Sequence, residues 1–480
     1  MVMIQSLIHT TENNNSYIYD DQSRLSILIH PEIKKAHKKT TDADPYYLGK
    51  YAYLSNHNFF SKPKLANFGT LEESMVKATT MQVRQIVFEV TDCCNLNCSY
   101  CAFGELYEGF DARNFKNINI QYAIILLKYI FDLKPKNKKN KLYIGFYGGE
   151  PLLNADFIKQ IVEVVNQLKS EKELDIGYSM TTNATLIHKH IHFLVENNFR
   201  LLISLDGNEK GHSYRTFAKN KKNSFRKVIE NMDMIQRNYP EYFTNSLNFN
   251  AILHNRNSVK DIYEFIYTRY HKIPRISELS LNDTNPDKKT LHDKMYHSKR
   301  QSEDEYQQEE FNQFPHNELV SYKELTDFLK YLSINFYISH ITPLLYDEEK
   351  HFPTSTCWPF EKKIYLTTRN KLLPCERINF KFSMGNVDQN VNIDIHEITK
   401  KYNSYLNHVK QVCQYCYAYK FCGICLFHIK NIDKSNTEEF VCEWFYDQKA
   451  FQNKLYRVFS FLEKYPDDFS QILENVIIEE

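Results

Sequence analysis

The sequence predicts an α/β chain built on a parallel sheet of six strand-helix units, with a small N-terminal α+β module and a cysteine-rich C-terminal region. Three observations predict this. From residue 83 to about 285, apolar β-branched runs alternate with amphipathic helical patterns. Directly after the first run, "TDCCNLNCSYC" (91–101) crowds four of the chain's eleven cysteines together. The other seven fall between 357 and 442, a second shift in composition.

Residues 1–80 read as a separate module, with a hairpin-like "SYIYDDQSRLSILIHP" and a basic, Tyr-rich "KKAHKKTTDADPYYLGKYAYL". Strands are expected at 85–90, 142–148, 175–182, 200–207, 246–253 and 275–281. Helices are expected between them at about 119–133, 154–169, 187–197, 224–238 and 258–269. Such alternation implies right-handed crossovers and a parallel sheet carrying its ligands at the carboxyl ends of the strands. Six units make an incomplete barrel over 81–285. The stretch 286–316 is polar and almost without aliphatic residues, so it reads as a mobile linker or insertion within a bridging segment 286–350. The cysteine-rich domain is placed at 351–450, and a closing helix at about 446–465 leads into a C-terminal segment, 451–480.

Sixty basic residues against fifty-nine acidic leave a formal charge of +1, so no global field points to nucleic acid or to an anionic membrane. The N-terminus lacks an export signal and no apolar run is long enough to span a bilayer, so the chain is expected in the cytoplasm. There, eleven cysteines argue for metal or redox chemistry rather than disulfides.

Cys94, Cys98 and Cys101 follow the spacing CxxxCxxC at the end of the first strand. Three thiolates from one loop can hold three irons of a 4Fe-4S cubane and leave the fourth open. A zinc knuckle is the competing reading, but zinc takes four closed ligands, and Cys93 can join only as an awkward adjacent pair. Cys93 is therefore left as a bystander.

This spacing in this place resembles the radical S-adenosylmethionine superfamily. The resemblance implies that the open iron is chelated by the amino and carboxylate groups of S-adenosylmethionine, whose reductive cleavage yields a 5'-deoxyadenosyl radical. It carries Tyr100 over as an aromatic neighbour of the adenine. In "FYGGEPLL" (146–153) it gives Gly148 and Gly149 as sites of close backbone approach and Glu150 as acceptor for the cofactor's ammonium. "SMTTNATLI" and "ISLDG" supply Asn183, Ser204 and Asp206, and "GHSYRTF" supplies Arg215 as a clamp on the carboxylate. Two departures stand out: Asn208 where the family usually has proline, and Ser213 where it has an acid.

"CWPFEKKIYLTTRNKLLPC" and "CQYCYAYKFCGIC" followed by Cys442 resemble the SPASM extension, which carries auxiliary clusters. That resemblance implies three 4Fe-4S clusters in all. Cys413, Cys416, Cys422 and Cys442 would hold the second auxiliary cluster, leaving Cys357, Cys375 and Cys425 for the first. The first is then one thiolate short, and either a non-cysteine group completes it or it is open. Asn370 stands where the family has a glycine, and Asn is the best substitute at a left-handed turn. Spacing alone leaves a second reading open, a zinc site of Cys413, Cys416, Cys422 and Cys425.

SPASM enzymes mostly act on peptides, so the resemblance implies a maturase that crosslinks a ribosomally made precursor peptide and takes electrons from a flavodoxin or ferredoxin. Residues 1–80 then either capture a leader peptide as an added strand or merely cap the barrel. The alternatives are an anaerobic sulfatase-maturing, formylglycine-forming enzyme and a noncatalytic peptide-binding partner. The intact CxxxCxxC and GGE residues speak for catalysis. "HKHIH" (188–192) is expected on an exposed helix, and no catalytic proton acceptor is assigned.

Overall fold

The structure, a computed structural model, describes residues 6–21, 23–38, 42–57, 67–135, 141–309, 313–333, 335, 352–433 and 442–475. It divides into two compact units. One comprises residues 1–70, 315–356 and 402–480, and the other 71–314 with 357–401.

The chain opens with a three-stranded antiparallel sheet, β1 (Leu7–Thr10), β2 (Ser16–Asp20) and β3 (Leu25–Leu28), of which β2 and β3 are the expected hairpin. Two helices follow, α1 (Pro31–His37) and α2 (Pro45–Asn56). Asp44 starts α2 by accepting the Tyr46 N–H at 2.8 Å, with Pro45 at the first helical position, where its missing N–H costs nothing.

The second unit holds the barrel. After α3 (Glu73–Met81), β4 (Gln85–Thr91) leads into the cysteine loop, whose short β5 (Leu96–Cys98) is followed by α4 (Ile120–Leu133). The alternation continues with β6 (Lys141–Gly148), α5 (Ala155–Lys172), β7 (Asp175–Thr182), α6 (Ile191–Glu196) and β8 (Arg200–Ser204). Next come β9 (Arg215–Phe217), α7 (Phe225–Asn238), α8 (Pro240–Ser246), β10 (Leu247–Leu253), α9 (Val259–Tyr270) and β11 (Arg275–Glu278). Strands β4, β6, β7, β8, β10 and β11 lie side by side in chain order and pair in parallel, the six-unit incomplete barrel the alternation implies. β4 is buried along nearly its whole length, as a central parallel strand covered on both faces must be.

The polar stretch after β11 is not an unstructured linker through residue 309. It folds into α10 (Lys289–Met295) and α11 (Lys299–Gln307). Its composition hides the reason: a few residues anchor it. Met295 and Tyr306 are buried, Ser302 Oγ accepts the Val259 N–H at 2.8 Å, and the Tyr306 hydroxyl donates to Glu264 at 2.9 Å. Specific hydrogen bonds here replace the aliphatic burial that the composition lacks. The rest of the bridging segment contains α12 (Val320–Tyr331), in the first unit, while residues 336–351 lie outside the described residues.

The chain then re-enters the barrel sheet. β12 (Lys363–Leu366) pairs in parallel with β4, and β13 (Lys371–Leu373), β14 (Gly385–Val387) and β15 (Val391–Asn392) continue it as an antiparallel meander, making ten strands. The start of the expected 351–450 domain is therefore an extension of the barrel. Buried Glu89 on β4 secures the join by accepting the Thr368 N–H at 2.8 Å and its hydroxyl at 3.1 Å. In the β12–β13 turn Asn370 sits at φ 65°. We expect Asn370→Gly to be neutral or slightly stabilising, and Asn370→Val to cost about 1–2 kcal/mol, read from urea unfolding.

The chain ends with α13 (Ile395–Cys413), α14 (Gln448–Lys464), the expected closing helix, and α15 (Asp467–Asn475); the tail beyond 475 lies outside the described residues. In the first unit α14 packs on the N-terminal sheet, with Phe459 against His9 and Tyr17 and Phe451 against Tyr19. Among the described residues no helix is long and apolar enough to cross a membrane.

Candidate active site

The cysteine loop is built at the carboxyl end of β4 by hydrogen bonds from the segment before α4 and from the ends of β6 and β7. Asp92 anchors the far side of the loop, accepting the N–H groups of Asn114 at 3.0 Å and Lys116 at 2.7 Å. The GGE turn after β6 is sewn to the near side: the Gly149 N–H donates to Thr91 O and the Glu150 N–H to Cys93 O, both at 2.8 Å. The two glycines are required for this approach. Gly148 has φ 124°, and a Cβ on Gly149 would lie 1.8 Å from the Cys93 carbonyl oxygen. Cys93, set aside as a ligand, thus acts through its backbone.

Glu150 is fully buried. Its carboxylate accepts from Thr182 Oγ1 at 2.6 Å and from the N–H groups of Asn183 at 2.8 Å and Leu152 at 3.1 Å. A carboxylate has about four acceptor positions, so one remains for a ligand's ammonium. Burial, only partly offset by these donors, raises its pKa to about 6. The folded chain then holds this proton more tightly than the unfolded chain, so a stabilising contribution present below about pH 4.5 is lost as pH rises through about 6. In iron-free protein we expect the stability of wild type relative to Glu150→Gln to fall by about 2 kcal/mol between pH 4.5 and 7. Urea unfolding at several pH values would check this.

Asn183 faces the loop. Its amide nitrogen donates to Asn95 at 2.9 Å and lies 3.8 Å from Cys94 Sγ, while its oxygen accepts from Thr185. Other donors also meet the thiols: the Leu96 N–H at 3.4 Å from Cys94 Sγ, and Arg113 Nη2 at 3.5 Å from Cys101 Sγ. Burial pushes the Cys94 thiol up to about 11 and Cys98 up to about 12. Half-buried thiols, two of them with N–H groups aimed at sulfur, are a donor set that a cationic iron centre completes, and for Cys94 and Cys98 a bound cation is what would hold the thiolate near neutral pH.

Behind Cys98 lies a buried polar network. β5 pairs with β9, setting Cys98 opposite Arg215. Arg215 is no surface side chain: it is 7% exposed and grips the fully buried Asp206 with Nε at 2.8 Å and Nη2 at 3.0 Å. Asp206 also accepts the Ile252 N–H at 2.9 Å and the hydroxyl of Tyr100. Burial opposes its ionisation, but Arg215 outweighs this and holds the carboxyl far below the usual range. All four acceptor positions of Asp206 are thereby filled by the chain itself. In the structure Asp206 orients Arg215 and Tyr100. Ser204 joins neither cluster, its hydroxyl making no hydrogen bond to a described residue.

Several residues here had no motif to announce them. His254, fully buried, stands 3.9 Å from Asp206, and Asn257 donates to the Asp206 carbonyl. Both follow the end of β10, where the strand-end rule would have found them. His212 accepts the Asp206 N–H at 3.3 Å and meets Ser224 at 3.1 Å, and Ser224 in turn bonds the Arg215 carbonyl; burial lowers the His212 pKa to about 3, keeping it neutral. His188 and His192 are exposed, as expected.

In the first unit, Cys413, Cys416, Cys422 and Cys442 line one pocket with Trp444 and apolar Val409 and Ile424, and the Tyr446 N–H lies 3.3 Å from Cys416 Sγ. Cys425 is not in that wall, so the structure groups Cys442, not Cys425, with the other three. Among the described residues no three His, Cys, Asp or Glu side chains converge tightly enough for a single metal ion. Cys357 and Cys375 belong to the barrel unit and Cys425 to the other.

Residues 88–266 match the family model of the Radical SAM superfamily. The chain carries a radical SAM domain. The domain implies S-adenosylmethionine and a 4Fe-4S cluster, and the donor set around Cys94, Cys98 and Cys101 fits both. Among curated proteins, a cysteine-type anaerobic sulfatase-maturating enzyme of Clostridium novyi (strain NT) is 30% identical over 151 residues, covering 31% of this chain and 39% of that one. The radical SAM cyclopropyl synthase TigE of Paramaledivibacter caminithermalis is 26% identical over 182 residues, 36% of each chain. This chain thus spans well under half the length of these curated relatives. The solved structure of native anSMEcpe with bound AdoMet superposes with a TM-score of 0.51 over 82% of this chain and 100% of that one, at 17% identity, a likeness of fold.

Proposed function

We propose that this chain is a radical SAM peptide maturase that removes hydrogen from a ribosomally made precursor peptide and leaves a thioether or carbon-carbon crosslink. The observation that carries the reading is the placement of three half-buried thiols at the end of β4, two of them met by N–H donors, within the matched domain. When bound, the cluster and S-adenosylmethionine would supply the electron and the hydrogen-abstracting 5'-deoxyadenosyl radical. Cys94, Cys98 and Cys101 would hold the cluster. The free acceptor position of Glu150 would orient the cofactor's ammonium. Arg215, held by Asp206, retains N–H donors not used in that pair and would meet the cofactor's carboxylate.

The peptide class is supported by the SPASM-like cysteine order, by the grouping of Cys413, Cys416, Cys422 and Cys442, and by the similarity to TigE. Leader capture by the N-terminal module is supported by an edge: β3 pairs with β2 alone among the described residues, and Leu28 is 59% exposed. The second reading, formylglycine formation on a sulfatase, is favoured by the similarity to the Clostridium novyi enzyme over part of the barrel.

Incubation with S-adenosylmethionine, a reductant and, in turn, a candidate precursor peptide and a sulfatase peptide separates them by mass. A crosslink removes two hydrogens and retains all sulfur. Formylglycine formation on a cysteine substrate exchanges sulfur for oxygen and also removes two hydrogens. An unmodified peptide, with 5'-deoxyadenosine formed only on a sulfatase peptide, would overturn the first reading.

A further inference from the structure

The segment "DARNFKN" (111–117), between the cysteine loop and α4, belongs to none of the motifs described above, yet it brings a guanidinium to the thiols. Arg113 Nη2 donates to Cys101 Sγ at 3.5 Å, and the charge of Arg113 also bears on Cys94. Arg113 Cζ lies over the ring of Phe103, 5.0 Å from its centroid, and Phe103 is itself held edge-on by Phe110 at 5.1 Å.

The backbone on both sides of Arg113 is pinned. Arg369 donates to the Ala112 carbonyl, and Asp92 accepts the N–H groups of Asn114 at 3.0 Å and Lys116 at 2.7 Å. Thr91 Oγ1 donates to the Lys116 carbonyl at 3.2 Å. The half-buried side chain is therefore aimed at the loop by its own segment.

Arg113 is also left without a carboxylate. Asp111, two residues before it, pairs with Lys371 at 2.8 Å and Arg369 at 3.4 Å, and both oxygens of Asp92 are spent on backbone N–H groups. Among the described residues Arg113 has no ion pair, and Cys101 Sγ is the one acceptor it meets. Arg215, opposite Cys98 across the β5–β9 pair, differs, because Asp206 neutralises it. Of these two arginines, Arg113 alone keeps its positive charge for sulfur.

We propose that Arg113 is a positioning residue that raises the reduction potential of the cluster held by Cys94, Cys98 and Cys101, acting through the Cys101 sulfur. The inference rests on the cluster reading of that loop. One electron from an external one-electron donor makes a thiolate-bound iron centre more negative. A cation with an N–H on sulfur stabilises that form more than the oxidised one.

The test is an anaerobic redox titration of the loaded full chain, read by electron paramagnetic resonance, on wild type, Arg113→Met, Arg113→Gln and Arg113→Lys. The signal of the loop cluster is the one that Cys98→Ala removes. Iron content should stay at the wild-type level in all three Arg113 variants. The two neutral variants should be about tenfold harder to reduce, a downward shift of about 59 mV for one electron, and Arg113→Lys should recover most of it. A merely structural role would change iron content and leave the midpoint of the retained cluster in place. Midpoints of both neutral variants within about threefold of wild type, an equal fall in Arg113→Lys, or loss of the loop iron from both neutral variants overturns the inference and leaves the cluster reading standing. Absence from wild type of any signal that Cys98→Ala removes overturns the cluster reading and this inference with it.

Discussion

Cys98→Ala should abolish formation of 5'-deoxyadenosine while leaving the protein folded. Cys98 is one of the three loop thiols assigned to the cluster, with Cys93 turned to the GGE turn through its backbone, and a cubane held at two irons is not retained. The substitution removes one sulfur and leaves the β5–β9 pairing intact, because that ladder runs through the backbone of Cys98 and Arg215. Three cubanes correspond to about 12 irons per chain, and the variant should fall by about 4, with the pocket of Cys413, Cys416, Cys422 and Cys442 unaffected. Iron, sulfide and zinc analysis of anaerobically purified protein would measure this, beside chromatography of the nucleoside. Undiminished cleavage in the variant would remove Cys98 from the site. About one zinc with about 4 irons in the wild type would make the C-terminal cysteines a structural zinc centre.

Gly149→Ala should be the most damaging substitution that touches no ionisable group. The new Cβ would stand 1.8 Å from Cys93 O and 2.3 Å from Cys93 C, both backbone atoms of the loop, so no side-chain rotation relieves it. Either the GGE turn lifts and loses the Glu150 N–H bond to Cys93 O, or the cysteine loop moves off β4. We expect a loss of at least about 3 kcal/mol in urea unfolding and a fall in bound iron comparable to Cys98→Ala. Gly145→Ala, within β6, serves as the control: its Cβ would meet only side chains, the amide of Gln85 at 2.9 Å, which can turn away, and Val87 Cγ2 at 3.1 Å. Full iron loading in Gly149→Ala would show that the turn does not shape the loop.

Much of the barrel was legible because its information is local. The period of two in 175–182 and the i, i+3, i+4 spacing in 155–172 specify a buried strand and a one-sided helix wherever they occur. The strands found at β4, β6, β7 and β10 match the expected spans to within a residue, since each is bounded by the turn or helix-start residues that end it. Asn370 was readable for the same reason, as a left-handed residue is a demand of one turn. The polar stretch 286–309 was misread because composition averages over residues, while α10 and α11 are held by single ones such as Met295 and Tyr306.

By itself the sequence determined the order of strands and helices, the loop that carries Cys94, Cys98 and Cys101, and the glycines that let another backbone reach it. Each follows from residues adjacent in the chain, where chirality, side-chain period and thiol spacing act directly. Only the tertiary structure decided that β12 pairs with β4 and that Asp206 spends its acceptors on Arg215, Ile252 and Tyr100. The physical reason is that a carboxylate has few acceptor positions and burial forces each to be filled. Which donors arrive depends on strands up to 106 residues away along the chain, and no local pattern records that meeting.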